Sequence, residues 1–379
     1  MIAIDPGSIA QIMQNTNGIW TVPDTIVNAI SQKLTSDTNT LEDEKERFEK
    51  EFRDCRKSDS PINIDYYLKG EVSLDAYTAF YLPRYSLIPA ISFRDLSLHS
   101  NLKQLPDEIK ILDMGSGTGA ITLGLLHFLT ELGYPRESIQ IVNLDCCGPA
   151  TKRRKDLISS CGFDRYHIAH ETIDFNHTSI LSSTLEYYGP FDYIFTGSCL
   201  TELDHTVIDT LIKLFSRTLS EPGAIIIAEA RRTYTGNLIH RLALNAPNHG
   251  LNVYYPCIDM HCSSSSCWCW REHSYAPPNI RLPDGKRLTG VDNNLTLNWL
   301  ILTKLPVRIL DNFQAREPEL RWDIINKEPK PHYQNTENFG VCSDEDIMLD
   351  VSKVGRHHCR RGSIVGFDNN GVVQRVVTL

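Results

Sequence analysis

Lys110-Ile111-Leu112-Asp113-Met114-Gly115-Ser116-Gly117-Thr118-Gly119-Ala120 is the stretch that decides the fold. A short apolar run meets a turn with glycine at every second position, and the segment AITLGLLHFLTELG follows at once. Three glycines let the backbone turn tightly and approach a ligand with no Cβ in the way, while the N–H groups that open a helix face that ligand. The stretch therefore reads as strand, cofactor-binding turn and helix. Asp113 stands two residues ahead of the first glycine and Ser116 lies within the turn, so Asp113, Gly115, Ser116, Gly117 and Gly119 are candidate cofactor contacts.

Downstream, apolar runs alternate with helical segments, the pattern of an α/β protein with a parallel sheet and crossover helices. IQIVNLD is the expected second strand and ends in Asp145, 26 residues beyond Gly119. An acid in that place can accept hydrogen bonds from both hydroxyls of a ribose. HIAHETIDF is the third strand, FDYIFTG the fourth and GAIIIAEA the fifth, with LNVYYPC and LNWLILTKLPV after them. A nicotinamide dinucleotide competes for the turn, but counting its GxGxxG spacing from Gly115 puts the last place at Ala120, one residue beyond the third glycine. Glycine pattern and strand order together favour S-adenosylmethionine (SAM) over a dinucleotide and over a turn with no ligand.

These features resemble the class I SAM-dependent methyltransferases, whose Rossmann-like, seven-stranded sheet ends in an antiparallel pair. LNVYYPC and LNWLILTKLPV stand in the place of that pair. The resemblance also puts Asp174, at the end of the third strand region, where such enzymes often contact adenine; a turn or helix-cap residue is the equal alternative. Groups that handle the methyl acceptor are then expected in Thr196-Gly197-Ser198-Cys199-Leu200-Thr201-Glu202-Leu203. This loop lacks both the Asn/Asp-Pro-Pro-aromatic motif of amino-group methyltransferases and the Pro-Cys pair of RNA cytosine-C5 enzymes. Its catalytic candidates are Glu202, to orient substrate or cap the next helix, and Cys199, a nucleophile or a buried thiol.

Apolar residues make up 41% and charged residues 22% of the 379, which suits a folded globular chain. A formal charge of −9 argues against a partner held mainly through phosphates, and no DNA is expected. Two basic runs stand out, Lys152-Arg153-Arg154-Lys155 and Lys353 to Arg361; such runs are more often solvated faces than binding sites. The opening MIAIDPGSIAQIMQNTNG has neither a basic signal-peptide start nor the arginines of a transit peptide, and no apolar run approaches the roughly 18 residues of a membrane span. The expectation is a cytoplasmic protein with no membrane partner. Residues 1–105 read as a helical N-terminal region, with LEDEKERFEKEFRDCRK as an exposed helix face and the aromatics of SLDAYTAFYLPRYSLIPAI packing on the next domain. The methyltransferase domain is expected over 106–306, with a Cys-rich insertion at 256–290. Residues 307–379 read as a linker and a β-hairpin around Asp368-Asn369-Asn370-Gly371.

Cys257, Cys262, Cys267 and Cys269 fall within 13 residues, with His261 among them. Thiolates at such spacing select zinc or an iron–sulfur cluster. The glycine turn, the loop Ser198-x-Leu200-x-Glu202-Leu203, Glu229, Pro256-Cys257, Cys262 and Trp268-Cys269 occur in an order that resembles the methyltransferase-like proteins associated with the mitochondrial small ribosomal subunit and their microbial relatives, over roughly residues 74–305. That resemblance implies a four-iron four-sulfur (4Fe-4S) cluster on Cys257, Cys262, Cys269 and Cys359, with Cys267 or Cys342 as alternatives to the last. It also implies rRNA or the small ribosomal subunit as partner, with methyl transfer weak or absent. On the residues alone, a small-molecule or protein methyltransferase braced by zinc fits as well, as does an inactive SAM-binding assembly factor.

Overall fold

The computed structural model describes residues 2–15, 18–58, 70–203, 205–231, 233–256 and 270–324, together with the short segments 330–331, 336–340, 346–350, 364–367 and 373–377. The chain opens with β1 (Ile2–Ala3), α1 (Pro6–Met13), β2 (Trp20–Thr21), α2 (Asp24–Lys33), α3 (Thr38–Ser58), α4 (Glu71–Phe80), α5 (Leu82–Tyr85), α6 (Ile88–Ser97) and β3 (Gln104–Leu105). Strand and helix then alternate through β4 (Ile109–Met114), α7 (Ala120–Glu131), β5 (Ile139–Asp145), α8 (Gly148–Ser160), β6 (His167–Thr172), α9 (Thr178–Tyr188), β7 (Phe191–Gly197), α10 (His205–Thr218), β8 (Leu219–Ala230) and α11 (Thr233–Asn245). β9 (Asn252–Tyr255), β10 (Trp270–Ala276) and β11 (Asn294–Thr303) complete the main sheet.

That sheet runs β2-β10-β11-β8-β7-β4-β5-β6, with β9 also paired to β11. From β6 to β8 all neighbours are parallel, and β11 lies antiparallel to β8. Side chains alternate between the two faces of each strand. Ile111, Ile141, Phe195 and Ile226 join one buried cluster, while Leu112, Val142, Ile194 and Ile227 join another. Both faces must therefore be covered. α7, α8 and the N-terminal helices cover the first; α9, α10 and α11 cover the second. The result is an α/β fold with a mixed central sheet.

Several details differ from the expectation. Among the described residues the sheet has nine strands, not seven, because β10 pairs with β11 and carries the two-residue β2 on its other side. β10 falls within the segment 256–290 that reads in sequence as the insertion. Residues 1–105 are not only helical, since β1 pairs with β3 and β2 joins the main sheet. They do pack on the following domain: Phe93 of α6 stacks on Phe128 of α7 at 5.3 Å between centroids and meets the edge of Tyr193 at 4.9 Å. α3 does present the expected charged face, where Arg47 bonds Glu44 and Glu51 while Leu41 and Phe48 are buried. Beyond the sheet, α12 (Asp311–Arg316), β12 (Arg321–Ile324), β13 (Lys330–Pro331), β14 (Thr336–Gly340) and β15 (Asp346–Asp350) occupy what reads in sequence as loop. β16 (Ile364–Phe367) pairs antiparallel with β17 (Val373–Val377), and the turn Asp368–Gly371 lies outside the described residues.

α6 is tied to β10 by a buried bidentate pair between Asp95 and Arg271, with Nη2 of Arg271 3.2 Å from Oδ1 of Asp95. The guanidinium also lies 5.0 Å from the Tyr255 ring centroid and 5.7 Å from that of Trp299. Charged, two-point geometry of this kind fixes orientation more than it adds stability. No helix among the described residues is long and apolar enough to cross a membrane.

Candidate functional site

The chain leaves β4 in three glycines with positive φ: Gly115 at 71°, Gly117 at 48° and Gly119 at 98°. Gly115 and Ser116 donate their N–H groups to Leu144 O at 2.9 and 3.1 Å, which stitches the turn to β5. Gly117 N–H donates to Oδ2 of Asp145 at 2.6 Å, and Cys147 N–H to its Oδ1 at 2.7 Å. The tip of β5 thus holds the turn directly, as the positions of Gly117 and Asp145 in sequence suggest. Each carboxylate oxygen has a second lone pair, so Asp145 retains accepting capacity for a ligand hydroxyl. Burial pushes its pKa up, against the pull of these donors and of Arg154.

Close approach explains two of the glycines. A Cβ on Gly115 would sit 2.4 Å from Cβ and 2.5 Å from Sγ of Cys199, and one on Gly119 would meet Arg154 Cγ at 2.7 Å. Cys199 is buried, and burial followed by the charges of Glu202 and Glu229 pushes its thiol well above the ordinary range. The structure therefore gives Cys199 a packing role against the glycine turn, opposed to the thiolate that a nucleophile needs.

Asp113 lies fully buried at the end of β4, where its Oδ2 accepts from Thr122 N at 3.1 Å and from Thr122 Oγ1 at 2.7 Å. Burial lifts its pKa from 3.8 to about 6, against the bonds from Thr122 and the charge of Arg154. A carboxyl whose folded pKa exceeds its unfolded value stabilises the fold while protonated; that contribution is complete below pH 4 and is lost as pH rises through 6. The loss amounts to about 3 kcal/mol. Asp113→Asn keeps the shape and an acceptor for Thr122, so it should raise the melting temperature clearly at pH 7.5 and little at pH 4. An equal effect at both pH values rejects the buried charge.

Arg154, in the run that reads in sequence as a solvated patch, is instead fully buried, and Arg153 nearly so. Nη1 of Arg154 donates to Ser116 Oγ at 2.6 Å and to Gly117 O at 2.8 Å, and Nη2 to Thr151 Oγ1 at 3.2 Å. Its Nε lies 3.3 Å from Nδ1 of His170, whose pKa falls to about 4 through burial and the neighbouring Arg154 and Lys155 charges. Arg153 reaches the other way, to Asp75 at 2.6 Å and Glu71 at 2.7 Å on α4. Asp75 also accepts from the N–H and hydroxyl groups of Thr35 and Ser36, and these donors with Arg153 outweigh burial to hold its pKa low. α8 therefore clamps the glycine turn with one arginine and docks α4 with the next.

Docking α4 brings Tyr77 over the turn. Tyr77, Gly115, Gly117 and Gly197 line two small adjoining cavities, of about 30 and 20 Å³. Asp145, Cys146, Phe175, Ser198, Cys199, Glu202 and Leu203 complete the first; Tyr85, Asp113, Ser116 and Thr118 share in the second. Spaces of this size hold water and not a nucleoside. Three polar atoms here are buried without partners: Oδ1 of Asp113, Oγ1 of Thr118 and Oγ of Ser198. Unsatisfied buried groups are costly and suit a site awaiting a polar ligand. Glu202 sits in a short turn after β7, where Glu229 of β8 accepts from Cys199 N at 3.0 Å and Leu200 N at 2.9 Å.

Most of the expected residues come together here: Asp113, Gly115, Ser116, Gly117, Asp145, Cys199 and Glu202 all line this space. Asp174 does not. It is exposed, accepts from Asn176 N at 2.9 Å, lies 3.3 Å from His177 Nδ1, and leaves Phe175 to face the cavity. Sequence reasoning missed Tyr77, Arg154 and Phe175. Arg154 carried a signal in hindsight, for it follows Asp145 by nine residues and so stands on the helix leaving β5.

Cys257, Cys262, Cys267, Cys269 and Cys359 lie outside the described residues, as does the basic segment from Lys353 to Arg361. Among the described residues no group of three or more metal-ligating side chains converges. The strands that flank the cysteines are described: Tyr255 of β9 pairs with Ile301 and Trp270 of β10 with Asn298 on the same β11. Three residues along one strand separate those partners by roughly 10 Å, so the cysteine segment begins and ends close together.

No protein-family model matches the chain, and no curated protein matches it. Among solved structures it is similar to a precorrin-6y C5,15-methyltransferase from Geobacter metallireducens, at 11% identity over 65% of this chain and 97% of the other, with a TM-score of 0.35. A SAM-dependent methyltransferase from Agrobacterium tumefaciens is 12% identical over 58% of this chain and 62% of its own, with a TM-score of 0.37. A TehB-like SAM-dependent methyltransferase from Corynebacterium glutamicum is 16% identical over 59% and 87%, with a TM-score of 0.32.

Proposed function

We propose that this chain binds SAM and transfers its methyl group. The observation that carries this reading is the hydrogen bond from Gly117 N–H, in a turn of three left-handed glycines, to Asp145 at the tip of the neighbouring strand. β5 and β6 lie on one side of β4 while β7 and β8 lie on the other, so the chain reverses its direction of travel at β4. Ligands of open α/β sheets bind at such a switch point, beyond the carboxyl ends of the strands. Asp145 would hold the ribose, Gly115 and Gly117 would let the backbone close on the ligand, and Asp113 and Thr118 would offer their unpartnered oxygens. A ligand in either cavity would meet the ring of Tyr77, which lines both. SAM supplies the methyl group and its own leaving group, so the chain's part is to hold and orient. Calorimetric titration with S-adenosylhomocysteine (SAH) tests the reading: a single site is expected, with no heat from NADH. Binding of NADH in place of SAH would hand the turn to the dinucleotide.

A finer reading rests on the cysteine spacing and on the resemblance to the ribosome-associated family. In it Cys257, Cys262 and Cys269, with Cys359 or Cys267, hold an iron–sulfur cluster, and the partner is rRNA or the small ribosomal subunit. The shared anchorage of β9 and β10 on β11 favours it, because it holds Tyr255 and Trp270, on either side of that segment, on one strand. Metal bound there would tie its ligands together. Protein purified without oxygen should be brown and contain iron and sulfide; stoichiometric zinc would favour the small-molecule or protein methyltransferase instead.

A further inference from the structure

β6 ends one side of the main sheet: it pairs with β5, and among the described residues no strand pairs with its other edge. An edge of this kind offers its N–H and C=O groups to another strand, so proteins usually guard it with lysine, proline or a bulge. His167-Ile168-Ala169-His170-Glu171-Thr172 contains no lysine or proline, and its register to β5 is unbroken. Beside it lies α9, which runs back along the sheet before the chain enters the parallel β7. Ile180 and Tyr187 of α9 are 55% and 80% exposed, and with Ser183, Thr184, Tyr188 and Glu171 they line one open surface depression of about 460 Å³. Glu186, the charged residue of α9, is off this stripe and accepts from Ser182 at 3.2 Å.

We propose that this edge and stripe form the interface of a homodimer, in which two β6 strands pair antiparallel about a twofold axis normal to the sheet. The strand is complementary to itself in one register. Opposed side chains of an antiparallel pair share a face, so a self-paired strand must be centred on a residue. Centring on Ala169 sets His167 opposite Glu171 twice and leaves only a methyl group on the axis. Ala169 packs on the α9 side of the sheet, and alternation puts His167 and Glu171 there too. Glu171 Oε1 already accepts from Tyr188 at 2.6 Å, which holds the carboxylate and leaves Oε2 for an imidazole N–H. Centring on His170 would instead oppose two imidazoles beside Arg154, whose Nε lies 3.3 Å from His170 Nδ1. Centring on Ile168 would leave Glu171 opposite no residue of the other β6. In the Ala169 register the two α9 helices run antiparallel across the axis. Ser183 and Thr184 permit close approach, and each Ile180 meets the partner's Tyr187.

Sedimentation equilibrium of the full chain across the micromolar range tests this, on the wild type, His167→Glu, His167→Lys and Tyr187→Asp. His167 and Tyr187 are exposed in the single chain, so the variants should fold, with melting temperatures in dilute solution near that of the wild type. The wild type should show a monomer–dimer equilibrium. His167→Glu faces Glu171 with a like charge at two symmetric places and should raise the dimer dissociation constant about tenfold. His167→Lys supplies a full positive charge and should lower it about threefold. Tyr187→Asp should raise it at least about tenfold by placing a charge in the apolar stripe. A wild type that stays monomeric throughout overturns the proposal. A dimer whose constant is the same in all four proteins overturns it too, as does one that His167→Glu and His167→Lys shift in the same direction.

Discussion

Arg154→Ala should cost about 3–5 kcal/mol of stability, the usual penalty for removing one partner from a buried charge cluster. Arg154 is fully buried, bonds both Ser116 and Gly117, and is the positive charge that pulls down the pKa values of Asp113 and Asp145. Without it two buried carboxylates face each other uncompensated, and the carbonyl of Gly117 loses its donor. Arg154→Lys keeps the charge but not the fork that spans a hydroxyl and a carbonyl, so it should fall between wild type and alanine. Urea unfolding at pH 7.5 reads both. A loss below about 1 kcal/mol for alanine would mean that water or a rearranged neighbour replaces the guanidinium.

The second large effect is expected at Gly115. Two penalties meet there, a left-handed backbone and a Cβ placed 2.4 Å from that of Cys199. Strain of about 1–2 kcal/mol and overpacking of about 1–3 kcal/mol should divide between stability and ligand affinity. Gly115→Ala should thus weaken SAH binding by at least about tenfold, since the loop that must yield lines the site. Gly133→Ala is the control: its φ is 77°, with nothing within 4 Å of the added carbon. It should lose stability through strain alone and bind SAH normally. Cys199→Gly combined with Gly115→Ala should recover the steric share, a coupling that a double-mutant cycle isolates.

Local chemistry made much of the fold legible. β4, β5, β7 and β8 are runs buried on both faces, and their sequences are nearly continuous in apolar residues. The glycine turn and Asp145 were readable because a close backbone approach and a strand-end acid leave a mark in residue type and spacing. Arg154 was not, because a basic run looks the same whether it is solvated or turned inward; its place depended on which residues of α8 face the turn. Tyr77 was hidden for a similar reason. Its segment is aromatic throughout, and only the docking of α4 through Asp75 and Arg153 decides which ring covers the turn. β10 was not legible as a strand of the sheet because Trp270–Ala276 reads Trp-Arg-Glu-His-Ser-Tyr-Ala, with no apolar run, and its pairing partner lies beyond a further loop. Asp174 shows the limit of position by analogy: a one-residue difference at a strand end sends Asp174 to solvent and Phe175 inward.

On the proposed reading Asp145, which holds the glycine turn through Gly117, also holds the ligand. Titrating SAH into wild type and Asp145→Ala, at a temperature where far-ultraviolet circular dichroism shows both folded, measures this directly. One site is expected on the wild type and an affinity weaker by at least about tenfold on the variant, as befits loss of hydrogen bonds to a charged group. Equal affinity for the two proteins would contradict it.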